Sequence, residues 1–65
     1  MIMIQDTQLR LKNFKKIITV KDEEIKVAYK KYICIIKGKK LQISYLTKYE
    51  LWISGTYDSL EFIHE

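Results

Sequence analysis

Residues 33–46 read Ile-Cys-Ile-Ile-Lys-Gly-Lys-Lys-Leu-Gln-Ile-Ser-Tyr-Leu, two apolar runs on either side of one glycine and a knot of lysines. The first run begins at Tyr32 and is apolar at every position through Ile36, the pattern of a central strand covered on both faces. In the second, Leu41, Ile43 and Tyr45 alternate with Gln42 and Ser44, which places one set of side chains on one face of a strand. Gly38 lies between them, where the absence of a Cβ permits a bulge or a sharp bend. The lysines of this stretch therefore read as the solvated corner between two strands.

The same period-two pattern extends in both directions. Leu9 and Leu11 alternate with Arg10 and Lys12, Ile18 and Val20 with Thr19, and Ile25 and Val27 with Lys26. Leu51 and Ile53 alternate with Trp52, and Leu60 and Phe62 with Glu61. Alternation sustained over so much of the chain, with abundant Ile, Val, Thr and Tyr, argues half-buried strands. Lys21-Asp22-Glu23-Glu24 and Lys30-Lys31 read as turns, and Gly55 as a second bend point. Leu46–Leu51 is long enough for a turn of helix but lacks a strong cap. The expected fold is all-β: about six short, mostly antiparallel strands in a rolled sheet or small sandwich, with a short β-solenoid as the alternative. The expected core is Leu9, Leu11, Ile18, Val20, Ile25, Val27, Ile36, Leu41, Ile43, Leu51, Ile53, Leu60 and Phe62.

Sixty-five residues make one domain, spanning 1–65, with residues 1–6 expected as a flexible lead-in. A domain of this size is marginal alone and commonly gains stability from disulfides, a metal or a second chain. One cysteine, Cys34, excludes an intrachain disulfide, and one Cys with one His, His64, falls short of a zinc ligand set. Cys34 reads as a small buried hydrophobe. No cofactor is expected. The apolar opening Met-Ile-Met-Ile ends at Gln5 and Asp6, too soon for a signal peptide. No run approaches the roughly 20 apolar residues of a membrane-spanning helix. The net charge of +4 is unevenly distributed. All twelve basic residues fall within 8–48, whereas 49–65 hold Glu50, Asp58, Glu61 and Glu65 and no Lys or Arg. A basic body with an acidic end suits pairing of first and last strands, or head-to-tail contact between copies.

The order and spacing of Leu9-x-Leu11, Phe14, Ile18, Ile25-x-Val27, Tyr32-x-Cys34-x-Ile36-x-Gly38, Leu41-x-Ile43, Leu51-x-Ile53-x-Gly55 and Leu60-Glu61-Phe62 resemble the YabP/YqfC family of sporulation proteins. The resemblance covers roughly residues 7–63. It departs at Lys31, where the family commonly has glycine, and in the short N-terminus. It implies a small non-enzymatic protein of endospore-forming bacteria, cytoplasmic in the mother cell, that serves as an interaction or scaffold component during formation of the spore envelope or cortex. It also implies work beside membrane proteins of the same programme, through which the chain reaches a membrane. It brings no catalytic residues.

The residues themselves are consistent with binding rather than catalysis. His64 sits at the C-terminal end, and no nucleophile, base and orienting group share a plausible spacing. Lys15-Lys16, Lys30-Lys31 and Lys37 with Lys39-Lys40, beside five tyrosines and one tryptophan, give the alternative of a small basic β-barrel that binds single-stranded nucleic acid. The preferred reading is solvated turns, with no specific nucleic acid and no small-molecule substrate. Trp52 has the opposite parity to Leu51 and Ile53, and Ile33, Ile35 and Leu46 also fall off the main core pattern. These four are the candidate interaction surface, for a second copy or for a sporulation membrane protein.

Overall fold

In the computed structural model, which describes residues 2–5 and 8–64, the described chain forms six strands and no helix. They are β1 (Ile2–Gln5), β2 (Gln8–Lys12), β3 (Lys16–Val20), β4 (Glu24–Ala28), β5 (Tyr32–Leu46) and β6 (Glu50–His64). All belong to one sheet, in the order β1-β2-β6-β5-β4-β3, and every pairing is antiparallel. The all-β antiparallel expectation holds. A solenoid does not fit this hairpin pairing, since successive coils of a β-helix stack in parallel. Residues 2–5 of the N-terminal segment pair with β2; Met1 and Asp6 lie outside the described residues.

Two strands are not short. β5 and β6 each run for 15 residues. The stretch 33–46 is thus the interior of one strand, and the lysine corner is a bend within it. A straight 15-residue strand would measure about 50 Å, whereas the longest dimension of the molecule is 27 Å. Both strands must therefore fold over. Their pairing slips between Lys37 and Gly38, between Lys39 and Gln42, and between Ile43 and Tyr45. Lys40 takes a left-handed φ of 54° and Gly55 a φ of 128°. The bend frees backbone amides of β5, and the β3–β4 turn receives them. Gly38 N–H donates to the Glu23 carbonyl at 3.1 Å, and Leu41 N–H to the Asp22 carbonyl at 2.7 Å.

The β2–β3 connection requires the same roll. Lys12 is paired with Glu50 near the start of β6, but Lys16 lies in the row of Ala28, Ile33 and Ile63. Along a straight β6, Glu50 and Ile63 would stand about 43 Å apart. Four Cα steps from Lys12 to Lys16 reach at most about 15 Å. Asn13–Lys15 can bridge only if the sheet is folded back on itself. Asn13, with φ 62°, makes the turn, as Asn tolerates better than most residues. Its N–H donates to the Tyr49 carbonyl at 3.0 Å, and Lys15 N–H donates to the Ala28 carbonyl at 2.8 Å. The connector is tied to both halves.

The result is two layers. The first contains β1, β2, residues 50–54 of β6 and residues 42–46 of β5. The second contains residues 59–64 of β6, residues 32–37 of β5, β4 and β3. Leu9, Leu11, Leu51 and Ile53 face Ile25, Val27, Tyr29, Cys34 and Ile36 across the core, with Leu41 at the bend. Eight residues of the expected core are buried, and Ile43 is partly so. Ile18, Val20, Leu60 and Phe62 are instead exposed. At Ile18 the cause is a bulge between Ile17 and Thr19, which gives Ile17 the inward position. Val20 and Leu60 close the two ends of the inner row Val20–Ile25–Ile36–Leu60, and Phe62 ends the next row. These ends lie at the layer's free edges, where the opposing layer leaves them uncovered. Residues 47–49 form a turn rather than a helix: Thr47 Oγ1 accepts from the N–H of Tyr49 and of Glu50 at 3.2 and 3.0 Å.

Candidate interaction surface

Trp52 stands on the outer face of the first layer, as its parity requires, because its neighbours Leu51 and Ile53 are fully buried. Register places Arg10 of β2 on one side of it and Tyr45 of β5 on the other. The Arg10 guanidinium carbon lies 4.1 Å from the centre of the indole, and the Tyr45 ring is 4.6 Å away, tilted by 40°. The indole N–H donates to Glu50 Oε2 at 2.7 Å. Cation–π attraction and the carboxylate bond fix the ring in place. Together these make a half-exposed platform, planar, aromatic and positively charged at one end.

The other three candidates sit elsewhere. Ile33 and Ile35 face outward from the second layer, on the opposite side of the molecule. Ile35 is buried between its cross-strand neighbours Lys26 and Glu61, and Ile33 is half-buried between Ala28 and Ile63. Leu46 is exposed at the end of β5. The slip at Ile43/Tyr45 pairs it with Leu51, so it shares the inner side rather than the outer one. The four residues therefore do not form one surface. Pattern reading also missed Arg10 and Tyr45, the partners of Trp52. The β5 bulge hid Tyr45, because simple alternation gives it the parity of the buried Leu41 and Ile43.

A second feature lies along β6. Beyond Ser54, β6 has β5 as its only strand partner among the described residues. This free edge carries exposed Leu60, Phe62 and Ile63. Tyr32 packs edge-on against Phe62 at 5.4 Å and His64 at 6.2 Å, and stacks on Tyr29 at 4.9 Å.

The lysine pairs occupy three separated places: the β2–β3 connector, the two-residue β4–β5 turn closed by Tyr29 N–H to the Tyr32 carbonyl, and the β5 bend. The chemistry of the remaining polar groups is quiet. Cys34 is fully buried, and burial pushes its thiol up to about 11, so it stays protonated and poorly nucleophilic at neutral pH. Burial, with lesser contributions from Cys34 and Tyr32, raises Tyr29 well above the usual phenol range. A surface depression of about 360 Å3 is lined by Asp22, Lys40, Leu41 and Gln42. Among the described residues no three His, Cys, Asp or Glu side chains are grouped to hold a metal, and no helix is long and apolar enough to cross a membrane.

Comparison with known proteins gives no significant match to a curated protein or to a solved structure. The YabP family profile matches residues 1–65, the whole chain. The rolled all-β sheet, its bends at Gly38 and Gly55 and its Leu60-Glu61-Phe62 ending thus belong to a member of the YabP family, a sporulation-associated protein.

Proposed function

We infer that this chain works by binding another protein, as a non-enzymatic scaffold component in the mother cell during formation of the spore envelope or cortex. The observation that carries this reading is the Arg10–Trp52–Tyr45 platform. A small domain has little reason to hold a tryptophan outside its core. Tryptophan and arginine are the residue types most enriched at the energetic centres of protein interfaces. Support also comes from the chemistry: a buried protonated thiol and a terminal, exposed His64 make a poor basis for catalysis. The partner we assign is a membrane protein of the sporulation programme. Through it the chain, itself cytoplasmic, is held at the membrane. Specific nucleic acid, a small-molecule substrate and a cofactor have no part in the proposal.

The test is capture from sporulating cells with tagged wild type and Trp52→Glu in parallel. The reading requires a membrane protein retained by wild type and lost by the variant, with the strand spectrum of the variant unchanged. Equal capture by both, or capture of nucleic acid at moderate salt, refutes it.

A further inference from the structure

Among the described residues the second layer has two free edges, and they differ in charge. One is β3, bounded by Lys15, Lys16 and Lys21, with no acidic residue between Lys16 and Val20. The other is the C-terminal half of β6, carrying Asp58 and Glu61 and no basic residue other than His64. An exposed strand edge with apolar side chains is a ready template for strand addition.

The phase of the edge follows from the β4–β5 turn. Tyr29 N–H bonds to the Tyr32 carbonyl, so alternate residues Cys34 and Ile36 direct their backbone groups toward β4, and Ile33, Ile35 and Lys37 theirs toward β6. Their partners Ile63, Glu61 and Ser59 are thereby used. The backbone N–H and C=O of Leu60 and Phe62 point away from the sheet. The layer also has four strands, each antiparallel to the next, so β3 and β6 run in opposite directions. A second copy displaced along the sheet without being turned over presents its β3 antiparallel to this β6.

We propose that copies of this chain join edge to edge, with β3 of one copy added as an antiparallel strand to the free edge of β6 in the next. The existing register extends directly across the junction. The inner row Val20–Ile25–Ile36–Leu60 continues into Val20 of the next copy, and the row Ile17–Val27–Cys34–Phe62 into its Ile17. Val20, Leu60 and Phe62, exposed in the single chain, gain apolar neighbours. On the outer face Glu61 comes opposite Thr19, diagonal to Lys16 and Lys21 of the next copy. Pairing of β6 with β6, or β3 with β3, would bring like charges together, which is unfavourable in a strand pair. The contact uses two different surfaces, so it does not close on a pair, and because each copy is displaced along the sheet without a closing rotation it grows as an open chain. This inference is independent of the Trp52 platform, which lies on the other layer and stays free in the assembly.

The experiment is sedimentation velocity with negative-stain microscopy over a concentration series. Wild type should form species that lengthen with concentration. Glu61→Lys, and separately Lys16→Glu with Lys21→Glu, should each sediment at the 7.8 kDa of the single chain while retaining the strand spectrum. Mixing the two variants restores a complementary pair at both junctions and should restore growth. Leu60→Pro, which removes an amide that points to solvent in the single chain, should also stop growth. A wild type that is monomeric up to its solubility limit, a closed dimer of fixed mass, or variants that assemble as wild type does would each overturn the proposal. Because these variants leave Trp52 untouched, their failure to assemble is separable from any loss of the partner.

Discussion

Gly38→Ala is the sharpest test of how the roll is held. A Cβ built at residue 38 would stand 1.9 Å from the carbonyl oxygen of Thr56 and 3.0 Å from its carbon. An ordinary carbon–oxygen contact is about 3.3 Å or longer, so the two strands must part by about 1.4 Å. Neither side moves freely. Gly38 pairs with Tyr57 and Lys39 with Thr56, and Gly38 N–H is held by the Glu23 carbonyl. Separation breaks one or two backbone hydrogen bonds, at about 1–3 kcal/mol for each group left unpaired. The expected loss is about 1–6 kcal/mol. A chain of 65 residues, at about 0.05–0.15 kcal/mol per residue, has about 3–10 kcal/mol in total. Gly38→Ala should therefore lose a large share of the stability of the fold. Urea unfolding followed by circular dichroism and Trp52 fluorescence measures the effect. Ser44→Ala, an exposed change at the neighbouring bulge, is the control and should shift stability by under about 0.5 kcal/mol. A Gly38→Ala variant within about 0.5 kcal/mol of wild type would show that β5 is not pressed onto Thr56, and the account of the bend would fail.

Tyr57→Phe should cost about 1–3 kcal/mol in the same assay, because the hydroxyl accepts from Leu9 N–H at 2.8 Å and donates to the Ile53 carbonyl, locking the start of β2 onto β6; an unchanged midpoint would contradict that role. Tyr29→Phe should instead raise stability by about 1 kcal/mol, since the Tyr29 hydroxyl is buried without a hydrogen-bond partner among the described residues; a clear loss would show that the hydroxyl is satisfied. Stability should also fall at alkaline pH. Cys34 and Tyr29 both hold their protons more tightly folded than unfolded, so the unfolded chain ionises first. Their contribution is intact below about 9 and declines as pH rises toward and beyond about 11, the folded value of Cys34. Unfolding midpoints that stay flat or rise across that range would rule this out.

How far the sequence could be read depends on where alternation is interrupted. Between bulges, parity was a sufficient guide: Leu9 and Leu11, Ile25 and Val27, and Leu51 and Ile53 are buried because period two assigns them to one face. Each bulge adds one residue and reverses the assignment, which is why Ile18 and Tyr45 exchange faces with their neighbours Ile17 and Leu46 relative to simple alternation. Bulges leave little trace in residue type. Gly38 and Gly55 mark two of the bends, but Lys40 takes a left-handed conformation with nothing in its identity to announce it. The ends of rows were illegible for a different reason. Leu60 and Phe62 do point to the inner face, and only the extent of the opposing layer decides whether that face is covered. Trp52 was legible as outward-facing; its binding partners Arg10 and Tyr45 come from strands whose register is set by long-range pairing.

Rolling so short a chain has a consequence for its surface. A flat sheet of this order has two edges, β1 and β3. Folding β5 and β6 across their middles exposes two more, the C-terminal half of β5 in the first layer and that of β6 in the second. Proteins that must stay single guard such edges with lysine, proline or charge of one sign. Were protection the whole purpose of the charge here, the β6 edge would be expected to carry lysine as β3 does. It carries Glu61 and Asp58 instead, beside Leu60 and Phe62, whose backbone groups are directed away from β5. Lysine on one edge and acid on the other disfavours pairing between like edges but favours pairing between unlike ones. The distribution of charge along the chain, basic through Lys48 and acidic after it, thus makes physical sense once the roll has brought β3 and the end of β6 to opposite sides of one layer.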